Sequence, residues 1–119
     1  MTQIYPNSDQ DTPFTDNGSI IIPLINGILT DNYYTVHMVG NFGSGTITAF
    51  TNPLGSQVAK QSTTYDVAIL DSTGTAISKT ANAAFRFGCD SDVNTPTVLK
   101  LVLAGATSPN VIITVCNNK

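Results

Sequence analysis

The chain contains 119 residues and carries a net charge of −3, with an isoelectric point near 4.5. Its five basic residues are scattered singly, so we expect neither nucleic acid nor a membrane surface as a partner. All eight acidic residues are Asp, and seventeen residues are Thr. This composition favours strands over helices, because Thr suits a pleated, half-buried surface. A chain of this length supports one hydrophobic core.

The N-terminal segment, MTQIYPNSDQDTPFTDNG, is polar and lacks the alternation of apolar and polar side chains that a core strand needs. We expect residues 1–18 to form a flexible N-terminal arm and residues 19–119 to form a single β-sandwich domain. The apolar side chains Ile4, Tyr5 and Phe14 are too few to hold this arm against its own domain, so we expect them to bind a partner instead.

From residue 19 onward, short apolar runs alternate with turn residues at the spacing typical of a sandwich or barrel. The first run contains Pro23, which lacks a backbone N–H and therefore predicts an edge strand or a bulge. The next two runs, residues 32–40 and 45–52, are joined by a link that is rich in Gly. This link predicts a β-hairpin with Phe42 at its exposed tip.

Five further strands are predicted in the second half of the chain. The segment Ala83–Cys89 alternates so that Cys89 faces the core, and the run around Lys100 has leucines on one face and Lys100 on the other. Two more hairpins are expected, which pair residues 65–71 with 75–80 and residues 97–105 with 111–116. The prediction is an all-β fold, an antiparallel β-sandwich of about eight short strands, with a jelly roll or a small barrel as the alternative.

Few side chains of this sequence are suited to catalysis. His37 is the single histidine and lies on a predicted strand without a second ligand, so we interpret it as a packing or hydrogen-bonding residue. Residues 90–94 alternate oxygen ligands but lack the distal Glu and the Gly of a calcium loop. Cys89 and Cys116 allow one disulfide bridge, yet we expect two reduced thiols that pack as small hydrophobic side chains. We therefore expect no enzyme, no catalytic residue, no cofactor and no metal.

Aromatic side chains at the surface are better candidates for a contact function. Tyr33 and Tyr34 are adjacent on a predicted strand, so one ring points away from the core unless both faces of the sheet are covered. The expected partner-binding residues are Ile4, Tyr5, Phe14, Tyr34 and Phe42.

Two segments of the chain resemble small virion proteins of tailed bacteriophages. In that group a strand ends in a hairpin with the pattern G-x-F-G-x-G-T-hydrophobic-T. The chain closes with a hydrophobic strand, an Ala-Thr-x-Pro or similar turn, and a β-branched strand. The matching residues here are Gly40, Phe42, Gly43, Gly45, Thr46, Ile47 and Thr48, then Ala106, Thr107, Pro109 and residues 111–115.

The resemblance implies a structural virion protein, most simply a decoration or cement protein that binds the major capsid protein on the outer surface of a phage head. It implies a location on the capsid surface. We also expect self-association as a homotrimer, since capsid lattices offer local three-fold positions. Synthesis in the host cytoplasm is expected because the first nineteen residues lack the basic and apolar regions of a signal peptide. One alternative is a phage tail, fibre or host-adhesion module that binds a glycan or a protein of the bacterial surface. A small enzyme, or an inhibitor that acts inside the host, is the third possibility.

Overall fold

The structure of the chain, a computed structural model, describes six segments, which are residues 2–5, 14–23, 32–52, 60–71, 73–89 and 98–117. They contain nine strands: β1 (Thr2–Tyr5), β2 (Gly18–Pro23), β3 (Asn32–Asn41), β4 (Thr46–Thr51), β5 (Val67–Ala68), β6 (Ser78–Lys79), β7 (Ala83–Cys89), β8 (Val98–Ala104) and β9 (Asn110–Asn117). Within the described segments, no helix has the length and apolar character needed to cross a membrane.

The strands form two antiparallel sheets that pack against each other. The first sheet has the order β1-β9-β3-β7, and the second has the order β2-β8-β4-β5, with β6 also paired to β4. The predicted all-β, antiparallel β-sandwich is therefore confirmed. Pro23 lies in β2 at an edge of the second sheet, as its missing N–H predicts.

The core lies between the two sheets and follows the two-residue period of the strands. In β8, Leu99, Leu101 and Leu103 point inward, and in β9 the same is true of residues 111, 113 and 115. The predicted alternation in β7 is also confirmed, since Phe85 and Phe87 are buried while Arg86 is exposed. The side chain of Cys89 lies outside the described part of the chain, so its burial stays a prediction.

Two of the three predicted hairpins are instead links between the sheets. Residues 42–45 connect β3 of the first sheet to β4 of the second, and residues 105–109 connect β8 of the second sheet to β9 of the first. We call these links the first arch and the second arch. Hairpin pairing is impossible because β3 already lies between β7 and β9, and β8 lies between β2 and β4. A Gly-rich link can form a tight hairpin, and it can equally well span the distance of about 10 Å between two packed sheets.

The third predicted hairpin is present only near its turn. Residues Leu70 and Ala76 form an isolated bridge, and the N–H of Asp71 donates to the carbonyl of Thr75 at 2.8 Å. The flanking strands β5 and β6 each pair with β4 instead, β5 opposite residues 50–51 and β6 opposite residues 47–48. The segment from β5 to β6 is therefore one interrupted edge strand from which the turn projects.

Among the described residues, the N-terminal arm contacts its own domain through β1, Phe14 and Asn17. Strand β1 pairs with β9, and Phe14 forms a bridge with Val111 of the same strand. Both Tyr5 and Phe14 are buried in the core. Their burial corrects the expectation that Tyr5 and Phe14 lack contacts within their own domain. The flexibility of the arm over residues 1–18 stays a prediction.

Candidate interaction surfaces

The two arches meet at one end of the sandwich. The N–H of Thr107 donates to the carbonyl oxygen of Gly43 at 2.9 Å, and within the first arch the N–H of Gly45 donates to the carbonyl of Phe42 at 2.9 Å. Gly43 has φ +59, and a Cβ at this position would lie 2.3 Å from the carbonyl oxygen of Thr107. Only glycine allows so close an approach of the two backbones. The segments that carry the resemblance to virion proteins thus form one structural unit.

Asparagine side chains satisfy backbone groups beside the arches. Asn17 donates from Nδ2 to the carbonyl of Ala106 at 3.0 Å, and its Oδ1 accepts from the N–H of the same residue at 2.8 Å. The Oδ1 of Asn82 accepts from the N–H of Gly40 at 2.8 Å. At the ends of a sheet, backbone N–H and carbonyl groups lack partners in the neighbouring strand. The Asn side chains bind these groups and so stabilise the two arches.

Most of the residues that the sequence assigns to partner binding are buried. The exposed fractions of Tyr5, Phe14, Tyr34 and Phe42 lie between 0% and 7%. They belong to the core of the chain itself, so their assignment as surface contacts is corrected. The side chain of Ile4 lies outside the described part of the chain, and its backbone is part of β1.

The burial of these rings follows from the topology. Phe42 enters the core because its link crosses between the sheets. Tyr34 points inward, and its ring stacks on that of Phe87 with centroids 5.4 Å apart. Tyr5 enters the core from the end of β1, and burial raises the pKa of its phenol.

Two other groups of apolar side chains are exposed. Val39 of β3 and Ile112 of β9 are opposite each other on the outer face of the first sheet, and we call them the apolar pair. Tyr65, Val67 and Leu70 lie along the β5 side of the second sheet, and we call them the apolar edge. Each of these five side chains is 51–55% exposed. Large contiguous apolar patches are typical of contact surfaces, and single exposed apolar residues are ordinary, so these two groups are candidate contact surfaces only.

The sequence contains part of the signal for the apolar pair. Alternation places Val39 on the same face as His37, away from the inward residues of β3. In β9 the same two-residue period places Ile112 on the outer face, because residues 111 and 113 point inward. That the two meet depends on the pairing of β3 with β9, which no local pattern predicts.

A buried ion pair holds the segment before β5 against the second sheet. The Nζ of Lys100 lies 2.8 Å from Oδ2 of Asp66, and both side chains are buried. The other carboxylate oxygen accepts from Nδ2 of Asn52 at 3.0 Å. Lys100 points away from the leucines, as its position in the alternation predicts, and this pairing is what permits a charged side chain to be buried there.

Asp71 organises the turn that projects from the interrupted edge strand. Its Oδ1 accepts from the hydroxyl of Thr73 at 2.6 Å and from the N–H groups of Thr75 and Thr73 at 3.0 and 2.8 Å. These bonds, the hydroxyl first, lower the pKa of Asp71 below its ordinary value. The arrangement stabilises a turn, since each donor belongs to the turn itself.

The remaining candidates from the sequence are spread over the fold. His37 lies exposed on the outer face of the first sheet, and Cys116 is a free, half-buried thiol in β9. Residues 90–94 lie outside the described part of the chain. In the described segments, no group of three or more His, Cys or Asp side chains is placed to bind a metal ion.

Comparison with protein-family models found no match. Comparison with curated proteins and with solved structures likewise found no significant similarity. The fold itself defines the class as an antiparallel β-sandwich, in which the two arches meet at one end.

Proposed function

We propose that the chain is a structural virion protein, a decoration or cement protein that binds the major capsid protein on the outer surface of a tailed-phage head. The observation that carries the proposal is the joining of the two arches. The residues that resemble the virion proteins are far apart in sequence, yet Gly43 and Thr107 meet through a backbone hydrogen bond. A motif pair that forms one unit supports a common architecture better than two unrelated turns would.

The exposed apolar side chains support a function in contact. The apolar pair, Val39 and Ile112, lies on the outer face of the first sheet, where its neighbours include His37 and Thr114. Two such side chains supply little affinity for one copy, since about 1.5–3 kcal/mol is gained for each one fully buried. Repetition by symmetry, as in the expected homotrimer on the capsid, multiplies that gain.

Binding to heads tests the proposal directly. Phage heads stripped of the protein are mixed with the purified chain, and we expect the chain to sediment with them and to raise the temperature at which they release DNA. The variant Ile112→Asp places a charge in the apolar pair and should weaken binding at least tenfold. Ser19→Asp adds the same charge at an exposed position of the second sheet and serves as the control. Failure of the unmodified chain to bind heads overturns the proposal.

The apolar edge favours the second candidate function, a tail, fibre or host-adhesion module. Tyr65 is an exposed aromatic side chain next to β5, and aromatic rings that project from an edge can stack on sugar rings. If this function holds, Tyr65→Ala reduces adsorption to bacteria and leaves the stability of the head unchanged. Ile112→Asp then has no effect on heads, so the two candidates give opposite results.

A further inference from the structure

The N-terminal arm is held by the last strand of the chain, which is far away in sequence. Gln3 and Tyr5 pair with Cys116 and Val115 of β9. At the other end of the arm, the N–H of Phe14 donates to the carbonyl of Val111 at 2.6 Å, and the N–H of Val111 donates back at 3.1 Å. Both contacts therefore use the same edge of β9.

Two exposed residues connect the arm to the domain. Thr15 and Asp16 are exposed, and the domain begins where Asn17 is fixed to Ala106 by its two side-chain hydrogen bonds. An open pocket of about 300 Å³ lies at this connection and is lined by Tyr5, Phe14 and residues 15–20. Among the described residues, β1 and Phe14 thus pair with β9, and an open space remains beside the start of β2.

We propose that the arm is an exchangeable strand, and that its second partner is the β9 edge of another copy of this chain. The described anchors are β1, with Tyr5, and the single residue Phe14. A second copy offers an identical edge and identical cavities for both rings. Exchange therefore keeps the described contacts of β1, Tyr5 and Phe14, and its main cost is the entropy of association, which a high local concentration offsets.

This inference does not depend on the proposed function, although a particle surface that concentrates the copies would favour it. The exposed residues Thr15 and Asp16 act as the hinge, and Asn17 with Ala106 marks the fixed point behind it. Exchange through this hinge links copies by their backbones and explains how a short polar arm can serve assembly while also packing on its own domain.

The register of β1 supplies a reporter for the exchange. Gln3 lies directly opposite Cys116, which is a free thiol. Opposed residues of antiparallel strands have Cα atoms about 4.5–5.5 Å apart, a separation that suits a disulfide. A full-length donor carries Gln3→Cys with Cys116→Ser, and a full-length acceptor keeps Gln3 and Cys116. Both carry Cys89→Ala, so that a disulfide between the introduced thiol and Cys116 can form only between two copies.

The donor and acceptor are mixed over a range of concentrations and oxidised, and the linked peptides are identified by mass spectrometry. We expect a covalent heterodimer whose yield rises with concentration and rises further when the two are refolded together. A donor with Ser78→Cys in place of Gln3→Cys measures random collision, because Ser78 is exposed in β6, on the side of the other sheet that lies away from β2. The yield with Gln3→Cys should exceed this control at least tenfold.

A single chain with Gln3→Cys and the native Cys116 measures docking within one copy. A disulfide inside the chain under all conditions, with no heterodimer above the collision control, overturns the exchange and leaves the arm bound to its own domain. No disulfide in either arrangement overturns the pairing on which the inference rests. Neither result bears on head binding, so failure of the exchange is distinguishable from failure of the proposed function.

Discussion

The N–H of Thr107 and the carbonyl oxygen of Gly43 are 2.9 Å apart, and the hydrogen bond between them joins the two arches. Each arch contains a serine in the left-handed region, with φ 66 at Ser44 and φ 48 at Ser108. A non-glycine residue adopts this conformation only where its surroundings hold it. The arches hold each other, so this end of the sandwich is closed by backbone contacts.

We predict that Gly43→Ala lowers the free energy of unfolding by at least about 2 kcal/mol. The methyl group would meet the carbonyl oxygen of Thr107 at 2.3 Å, in addition to the strain of its φ of +59. Gly74→Ala is the matched control, because Gly74 has φ +83 but no atom within 4 Å of the added Cβ. Urea unfolding should show the larger loss for Gly43→Ala, and equal losses would mean that the arches do not touch.

We predict that Phe42→Ala costs about 3–5 kcal/mol of unfolding free energy, as the loss of a buried aromatic ring does. Phe42 closes the core below the first arch. Tyr65→Ala is the comparison, since the ring of Tyr65 is exposed and its removal should change stability by about 0.5 kcal/mol or less. A small effect at Phe42 would restore the ring to the surface position that the hairpin pattern predicts.

The local pattern of the sequence predicts which way side chains point, and it does so correctly in β7 and β8. Phe85 and Phe87 face the core, and Lys100 points away from the leucines, because alternation is a property of the strand itself. The pairing of strands is not local. Because consecutive strands are usually neighbours, the local pattern predicts that β3 pairs with β4 and that β8 pairs with β9. In the structure, the two strands of each of these pairs lie in different sheets.

The same limit decides how much of the candidate surface the sequence predicts. Phe42 is predicted at the surface only if its link is a hairpin. Tyr5 and Phe14 are predicted to bind a partner only if no strand of their own domain pairs with the arm, and β9 is such a strand. Val39 and Ile112 become one surface only when β3 pairs with β9. Exposed patches are combinations of distant segments, whereas composition and period describe one segment at a time.

We predict that Thr73→Val raises the pKa of Asp71 toward its ordinary value. The substitution removes the hydroxyl that donates to the carboxylate at 2.6 Å and keeps the shape of the side chain. The rise is partial, because the N–H groups of Thr73 and Thr75 still donate. A titration of the Asp71 carboxyl by NMR measures it. Thr75→Val is the control, since that hydroxyl contacts Thr73 and not the carboxylate.

The same lowered pKa sets the direction of a pH effect. The pKa of Asp71 is lower in the folded chain than in the unfolded chain, so its contribution to stability is present above the pKa of the unfolded chain. It is lost as the pH falls through the folded value. Thr73→Val should therefore weaken the acid dependence of unfolding in this window, and an unchanged dependence would assign it to other carboxylates.

We predict that removing the charge of Lys100 or of Asp66 alone lowers the free energy of unfolding, and that removing both charges together lowers it much less. Lys100→Met leaves the carboxylate of Asp66 buried without its cation, which should cost about 3–5 kcal/mol. Asp66→Asn leaves a buried ammonium group and keeps an oxygen that can accept from Asn52. Combining the two substitutions removes both charges, so the double variant should lose clearly less unfolding free energy than the sum of the single losses.

Urea unfolding of all four proteins measures the coupling. Additive losses would show that Lys100 and Asp66 are each stabilised by water or by other groups, and that the ion pair does not hold the segment before β5 in place.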